Sequence, residues 1–397
     1  MQATYLDNAS TAYPKAPQVA DAVRDYIINT GCNIGRGEYS QAYSAAEMVF
    51  ETREMLCGLF HFNRPQNVIF TMNITQSLNF LLKGLLKQGD HVLVSSVEHN
   101  AVMRPLTQLL EDGVSFTRMP CNEQGELITD RLDSLVQPNT RAVVLLHASN
   151  VCGTIMPLEA VSRLCRRHGL LLILDSAQTA GAFDIDMLSL GLDAVAFTGH
   201  KSLLGPQGVG GFLITDKLAQ QTTPLITGGT GSVSDRETTP AFLPDRFEAG
   251  TMNLPGIAGL HASLSFLKET GIAAICRHEQ ELSRQLQEGL SVIPCARVVG
   301  SRDPFERAPI VSVDFTGYDN AEIAYLLDSE YGIMTRCGLH CAPNAHRTLQ
   351  TFPQGTVRFS MGFSNSKEQI SYALGSLSKV LAQAHRIRET TSANPCE

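Results

Sequence analysis

A succession of short apolar runs, each closing on polar residues and separated from the next by stretches of helical period, narrows the folds open to this chain. NVIF (67–70), HVLVSS (91–96), AVVLLH (142–147), LLLILD (170–175), DAVAFT (193–198) and GVGGFLI (208–214) read as buried strands. Thr75–Lys87, Ala101–Leu110 and Leu158–His168 carry helical spacing between them. Buried strands alternating with helices predict an α/β fold, a mostly parallel sheet with helices on both faces. Ligands of such sheets gather at the carboxyl edge of the strands. Thr71 to Gln76, Glu98 and His99, Asn150, Asp175, and Thr198 to Lys201 all follow strands, so they are expected on one rim.

Beyond about residue 259 the pattern changes to a long helix, RVVG, PIVSVDF, a helix over Asn320–Tyr331, the strand TVRFSM and a last helix over Lys367–His385. Alternation in PIVSVDF predicts an antiparallel sheet covered on one face, hence a smaller α+β domain. The expected division is a large domain over 16–258 and a small domain built from 1–15 and 259–397. The polar tail from Arg386 to Glu397 is expected to fray, and the glycine- and serine-rich loop 227–240 to be mobile.

A length of 397 residues suits two domains or one large α/β domain with an appendage, and 43% hydrophobic with 18% charged residues is a globular balance. Net charge −8 gives no electrostatic reason to bind nucleic acid or an anionic membrane. The N-terminus lacks a basic segment leading into an apolar one, and no apolar run reaches spanning length. Ten cysteines without disulfide-framework spacing predict reduced thiols and a cytoplasmic protein.

Lys201 lies in the glycine-flanked run TGHKSLLGPQGVG, and Asp175 ends the strand LLLILD. This pair is what pyridoxal 5'-phosphate (PLP) chemistry requires. The amine can form a Schiff base with the cofactor aldehyde, and the carboxylate can keep the pyridine nitrogen protonated. Thr75 and Gln76 open a predicted helix whose free amides and dipole favour an anion.

From YLDNAST (5–11) to RFSMGFSNS (358–366) the chain resembles the class V aminotransferase group of fold-type I PLP enzymes, and within it the cysteine desulfurases and selenocysteine lyases. The resemblance implies that Asp175 pairs with the pyridinium nitrogen, Gln178 bonds the ring hydroxyl and His99 stacks on the ring. It implies phosphate contacts from Thr75, Thr198 and His200, and places Asn150 near the ring hydroxyl and substrate. RFEAGTMNL (246–254) is similar to a segment whose Gly-Thr, here Gly250 and Thr251, reaches the partner's phosphate in a homodimer. Arg358 corresponds to the arginine that binds the substrate α-carboxylate, a role suited to a planar guanidinium.

RCGLHCAP (336–343) is similar to the nucleophile loop of the desulfurases, with Cys341 as nucleophile, Arg336 before it and His340 beside it. Arg336 or His340 could raise the thiolate fraction, and Lys201 would shuttle the proton. The loop is of the shorter kind, which in the family usually calls for a sulfur-acceptor protein. Cys337, His340, Cys341 and His346 lack standard zinc spacing, so no metal is expected. Gly35, Ile74, Leu339 before His340, and Cys337 depart from the family pattern, and Cys337 could pair with Cys341. The implied function is PLP-dependent conversion of L-cysteine to L-alanine with a persulfide left on Cys341. L-selenocysteine is an alternative substrate, transamination or another β-eliminating lyase reaction a rival chemistry, and an inactive sulfur-relay scaffold the rival without catalysis.

Overall fold

The computed structural model describes residues 3–34, 37–303 and 306–392, with side chains from His385 onward outside the description. Gly35 and the end of the tail, 393–397, therefore lie outside the described residues. In chain order the strands of the first part are β1 (Thr4–Tyr5), β2 (Val68–Thr71), β3 (His91–Ser95), β4 (Ser115–Met119), β5 (Thr140–Leu146), β6 (Leu171–Asp175), β7 (Ala194–Thr198) and β8 (Gly210–Ile214). Seven of them form one sheet in the order β2-β8-β7-β6-β5-β3-β4. β7, β6, β5, β3 and β4 run parallel, whereas β8 is antiparallel to both β7 and β2.

Burial on both faces explains the unbroken apolar runs. In β5, Val143 and Leu145 enter one core, and Ala142 and Val144 enter another on the opposite face. Leu172 and Leu174 of β6 likewise face away from Leu171 and Ile173. The expected helices are present as Ile74–Leu85, Asn100–Leu109 and Leu158–His168. The long helix expected after residue 259 is two, Leu254–Thr270 and Ile272–Ser291, broken at Gly271, whose φ is 87°.

The later strands are β9 (Ala296–Val299), β10 (Ile310–Phe315), β11 (Ile333–Met334), β12 (Arg336–Gly338) and β13 (Thr356–Ser360). β12-β13-β10-β9 form an antiparallel sheet, and β1 pairs with β11 in parallel. Val311, Val313 and Phe315 of β10 enter a core with Leu282, Leu286 and Leu290 of the second long helix. The expectation of a sheet covered on one face needs correction. Ser312 and Ile310 are also buried, and the Ser312 hydroxyl donates to the Val151 carbonyl of the loop after β5. This second face packs on the large sheet's rim, where the alternation of Ser312 with apolar neighbours gives no sign of it. The last helix spans Lys367–Ser392, so most of the segment expected to fray continues the helix.

Candidate active site

The parallel strands bring their carboxyl ends to one edge. Thr71, Gly210 and Thr198 lie level across β2, β8 and β7, and Leu146, Asp175 and Ala196 across β5, β6 and β7. The helix from Ile74 starts directly over this edge: a Cβ on Gly210 would stand 2.9 Å from the Asn73 Cα and from the Phe197 carbonyl oxygen. Gly210 thus admits a helix N-terminus beside Thr198. Ile74 is buried among the strands, so this departure from the family pattern is a packing residue.

At that N-terminus the amides expected to be free are partly engaged. The Gln76 amide donates to Asn73 Oδ1 at 3.0 Å, and the Gln76 side-chain oxygen accepts from the Met72 amide at 2.7 Å. Asn73 is an N-cap residue whose side chain competes for the amides that an anion would use. Gln76 therefore shapes the loop, and its amide is not free. Thr75 is exposed at the helix start. Across from it, Thr198 Oγ1 and His200 Nδ1 are buried without a hydrogen-bond partner among the described residues. Burial, then the charges of Lys201 and Lys15, lower the His200 pKa to about 4, so its ring is neutral.

Asp175 is buried and accepts the Ala177 amide on Oδ1 at 2.9 Å. Burial pushes its pKa up, while that bond and the nearby Lys201 charge pull it down. Burial dominates at Lys201 too, lowering its pKa to about 8 against the attraction of Asp175, with Arg358 and Arg336 adding to the fall. His99 caps the helix from Asn100, its Nδ1 accepting the Ala101 amide at 3.0 Å. That bond leaves the ring hydrogen on Nε2. Burial and then the charges of Lys201, Arg336, Arg358 and Arg104 lower its pKa to about 3. His99 is thus a neutral, fixed ring beside an amine.

Gln178 donates to the Ala9 carbonyl at 3.2 Å. Asn150 donates to the His340 carbonyl at 2.7 Å, leaving its buried Oδ1 unpaired. Arg358, 1% exposed, binds the Asn150 carbonyl at 2.9 Å and both Asp7 Oδ1 and Ser10 Oγ at 2.8 Å. Its Nε is buried and unpaired, a donor still open to a carboxylate.

The cysteine loop meets this edge from the other sheet. His340 and Cys341 have φ of 45° and 58°, left-handed values that cost non-glycine residues energy. Two bonds hold the turn: Asn150 on the His340 carbonyl, and the Asn100 amide on the Cys341 carbonyl at 2.9 Å. The Cys341 side chain is left outward, and among the nine described cysteines, all free, it is the exposed one. Arg336 Nη2 lies 3.9 Å from its sulfur. His340 is buried, with Nε2 on Thr356 Oγ1 at 3.1 Å and a pKa lowered chiefly by burial. Cys337 faces elsewhere. It sits opposite Val357 of the small core, and its thiol is pushed up by burial and then by Asp319.

Gly250 and Thr251 lie apart from these groups, in the long connection before Asn253. Gly250 has φ 90° and open space around it. Thr251 borders a hollow shared with Met72, Gln76 and Gly208. The rim therefore unites Thr198, His200, Lys201, Asp175, Gln178, His99, Asn150, Arg358, Arg336 and Cys341. Sequence reasoning passed over Asp7, Ser10 and Lys15, which lie in the YLDNAST stretch and just after it. Lys15 Nζ, Thr11 Oγ1 and the Ala12 amide all donate to the His200 carbonyl, at 2.8, 3.1 and 2.9 Å.

These residues fit PLP. Unpaired buried polar atoms at Thr198 and His200 beside a helix start suit its phosphate, a buried carboxyl near an amine suits its ring nitrogen, and the amine suits its aldehyde.

Comparison with known proteins agrees with this chemistry. The family model described as Aminotransferase class-V matches residues 4–373. A probable cysteine desulfurase of Methanothermobacter thermautotrophicus is 33% identical over 92% of this chain and 92% of its own length. A cysteine desulfurase of Yersinia pestis is 30% identical over 95% of this chain and 93% of its own. Among solved structures, an apo cysteine desulfurase from Thermococcus onnurineus superposes with a TM-score of 0.90 at 27% identity, covering 96% of this chain and 95% of that one. The cysteine desulfurase CsdA of Escherichia coli, in an S-sulfonic acid form, gives 0.87 at 28% identity over 96% and 95%.

Proposed function

The chain belongs to the aminotransferase class-V family, and from that membership we propose that it is a PLP-dependent cysteine desulfurase, taking sulfur from L-cysteine onto Cys341 and releasing L-alanine. The observation that carries the proposal is the meeting of Cys341 with Arg336, His99 and Lys201 at one rim: an exposed thiol stands beside residues that fit an electron-withdrawing cofactor.

When bound, PLP supplies the electron sink for bond changes at the amino-acid carbons. Thr75, Thr198 and His200 hold its phosphate, Asp175 its ring nitrogen, Gln178 and Asn150 its ring hydroxyl, and His99 its ring face. Arg358 offers Nε to the substrate carboxylate. Lys201, with its pKa lowered to about 8, can both give and take a proton at Nζ near neutral pH. Cys341 Sγ attacks the substrate sulfur: a sulfur–sulfur bond forms as the carbon–sulfur bond breaks, the electron pair of the broken bond stays with the substrate carbon, which takes up a proton to become the methyl group of alanine, and Arg336 lies against the sulfur that carries the persulfide.

A homodimer is part of the proposal, with Gly250 and Thr251 reaching the partner's phosphate site. Met72, 63% exposed, and Ile226, 46% exposed, line the hollow beside Thr251 and suit coverage by a second copy. The exposed Cys341 suits persulfide hand-over to an acceptor protein, and the nine described free thiols suit a reducing compartment such as the cytoplasm. No described helix is long and apolar enough to cross a membrane.

Incubation of the PLP-loaded protein with L-cysteine and a reductant is expected to release alanine and sulfide in equal amounts, with sulfide lost in Cys341→Ala. A requirement for a keto acid would replace this reading with transamination, and cofactor absorbance unresponsive to L-cysteine would replace it with the scaffold. Running L-selenocysteine in parallel fixes the preferred chalcogen.

A further inference from the structure

Arg336 and Arg358 are directly opposite in the β12–β13 register, on neighbouring antiparallel strands. Like charges so placed repel, and both side chains stay on the rim only if something between them compensates. Asp7 provides one carboxylate, paired with Arg358 at 2.8 Å. The remaining connection is the Ser10 hydroxyl. It donates to Asp7 Oδ1 at 2.8 Å and accepts from Arg358 Nη2 and Arg336 Nη1, each at 2.8 Å. A hydroxyl has one proton and two acceptor sites, and here every one of them engages a charged group.

The two arginines differ in what else holds them. Arg358 is buried and has Asp7 and the Asn150 carbonyl as further partners. Arg336 is only half-buried, and its side-chain contacts among the described residues are Ser10 and the Cys341 sulfur. Its guanidinium lies against that sulfur because Nη1 is held from behind. Without the hydroxyl, repulsion from Arg358 and the pull of water both favour rotation away from the loop.

We propose that Ser10 is a positioning residue that holds the Arg336 guanidinium against the Cys341 sulfur, and so keeps a positive charge where the reacting sulfur anion must form. The proposal rests on the assignment of Cys341 as nucleophile. The charged and titratable groups around this sulfur are Arg336, His340 beside it in the chain, His99 and Arg104 on the helix whose Asn100 amide binds the Cys341 carbonyl with His99 as its cap, and Lys201 beside His99. Behind Arg336 stand Arg358 and Asp7. Ser10 also bonds Asp7 and Arg358, but those two keep each other, and Arg358 keeps the Asn150 carbonyl, so removal of the hydroxyl frees Arg336 and leaves the other charges in place.

Alkylation of Cys341 reads that charge without needing turnover. Iodoacetate is anionic and iodoacetamide neutral, so the ratio of their rates at fixed pH reports local positive potential. The modified peptide is identified by mass spectrometry, and Arg336→Ala sets the floor. An opposite charge about 4 Å away favours the anionic reagent by about fivefold even at the dielectric of bulk water. The expected result is a wild-type ratio about fivefold above that of Arg336→Ala, a Ser10→Ala ratio near the floor, and recovery in Ser10→Thr. Thermal unfolding confirms that each variant is folded. If Ser10→Ala does not fold, Ser10→Cys, similar in size but a poor acceptor, carries the same test. A Ser10→Ala ratio equal to wild type overturns the proposal, as does an Arg336→Ala ratio equal to wild type. Sulfide release from wild type is measured alongside: its absence refutes the desulfurase reading, whereas the alkylation ratios judge Ser10 alone.

Discussion

Replacing Glu279 by glutamine should make the protein more stable in alkali and change little in acid. Glu279 projects from the helix Ile272–Ser291 into a small cavity that Lys201, Asn8, Gln178 and Ser360 also line. It is 5% exposed, and among the described residues no hydrogen bond or ion pair reaches its carboxyl group. Burial alone raises its pKa from the ordinary 4.5 to about 8. In the unfolded chain the group ionises near 4.5, so between 4.5 and about 8 the unfolded state binds fewer protons than the folded one. Stability therefore falls as pH rises through that window. At about 1.4 kcal/mol per pH unit, the loss reaches up to about 5 kcal/mol. Glutamine has the same shape and no charge to bury. Denaturant unfolding of both proteins at pH 5, 6, 7 and 8 should give free-energy differences that begin near zero and grow toward that figure in favour of Glu279→Gln. Subtracting the two cancels every other titrating group. A difference that is flat across the series would mean that Glu279 ionises as readily folded as unfolded, and would refute the reasoning.

The depressed pKa of Lys201 predicts that apoprotein captures PLP at a rate that rises with pH and levels off above about 8, since only the neutral amine attacks an aldehyde; stopped-flow absorbance should show this, and a rise continuing toward the ordinary lysine value of 10.5 would contradict it. Cys337→Ser should leave sulfide release within about twofold of wild type, because the side chain faces the small core and the substitution keeps its size; a loss comparable to that of Cys341→Ala would restore Cys337 to the mechanism. Arg358→Lys should raise KM for L-cysteine about tenfold or more in steady-state assays, since an ammonium cannot serve Asp7, Ser10, Asn150 and a substrate carboxylate together.

The large sheet and its rim were legible because a strand buried on both faces is written as a continuous apolar run, and such runs end where function begins. LLLILD gave away Asp175, and DAVAFT gave away Thr198 and the lysine beyond it. The same property hides direction: GVGGFLI reads alike either way, and only the pairings reveal that β8 is reversed. β4, SFTRM, is an edge strand with its middle partly exposed, so it lacks the apolar signature altogether. β1 and β11 are two residues long, too short for any period, yet their pairing carries the N-terminal segment to the rim. At Gln76 an N-cap asparagine three residues earlier takes up the amide, a local competition that a preference for anions at helix starts overlooks.

What the sequence withheld most completely is the role of Asp7 to Lys15, and the geometry explains why. Beside a few local bonds, the partners of these residues lie hundreds of positions away or just past a strand end that no local pattern connects to them. Asp7 and Ser10 engage Arg336 and Arg358, the Ala9 carbonyl receives Gln178, and Thr11, Ala12 and Lys15 converge on the carbonyl preceding Lys201. Burial lowers the Lys15 pKa to about 8, and its ammonium binds that carbonyl and the Thr11 hydroxyl rather than a carboxylate. A carbonyl bonded by three donors cannot rotate without losing all of them, so the peptide leading into Lys201 is fixed from the N-terminal side. From the other side, the Leu204 amide grips the Lys201 carbonyl at 2.7 Å, and the Gly205 amide grips that of Gly199 at 2.8 Å. The amine therefore projects from a backbone held at both ends, and the same short segment that holds it also sets the arginine beside the cysteine. The Lys201 amine and the Cys341 thiol are registered to one another through a single stretch of chain, so a change in that stretch should disturb both before it disturbs either sheet.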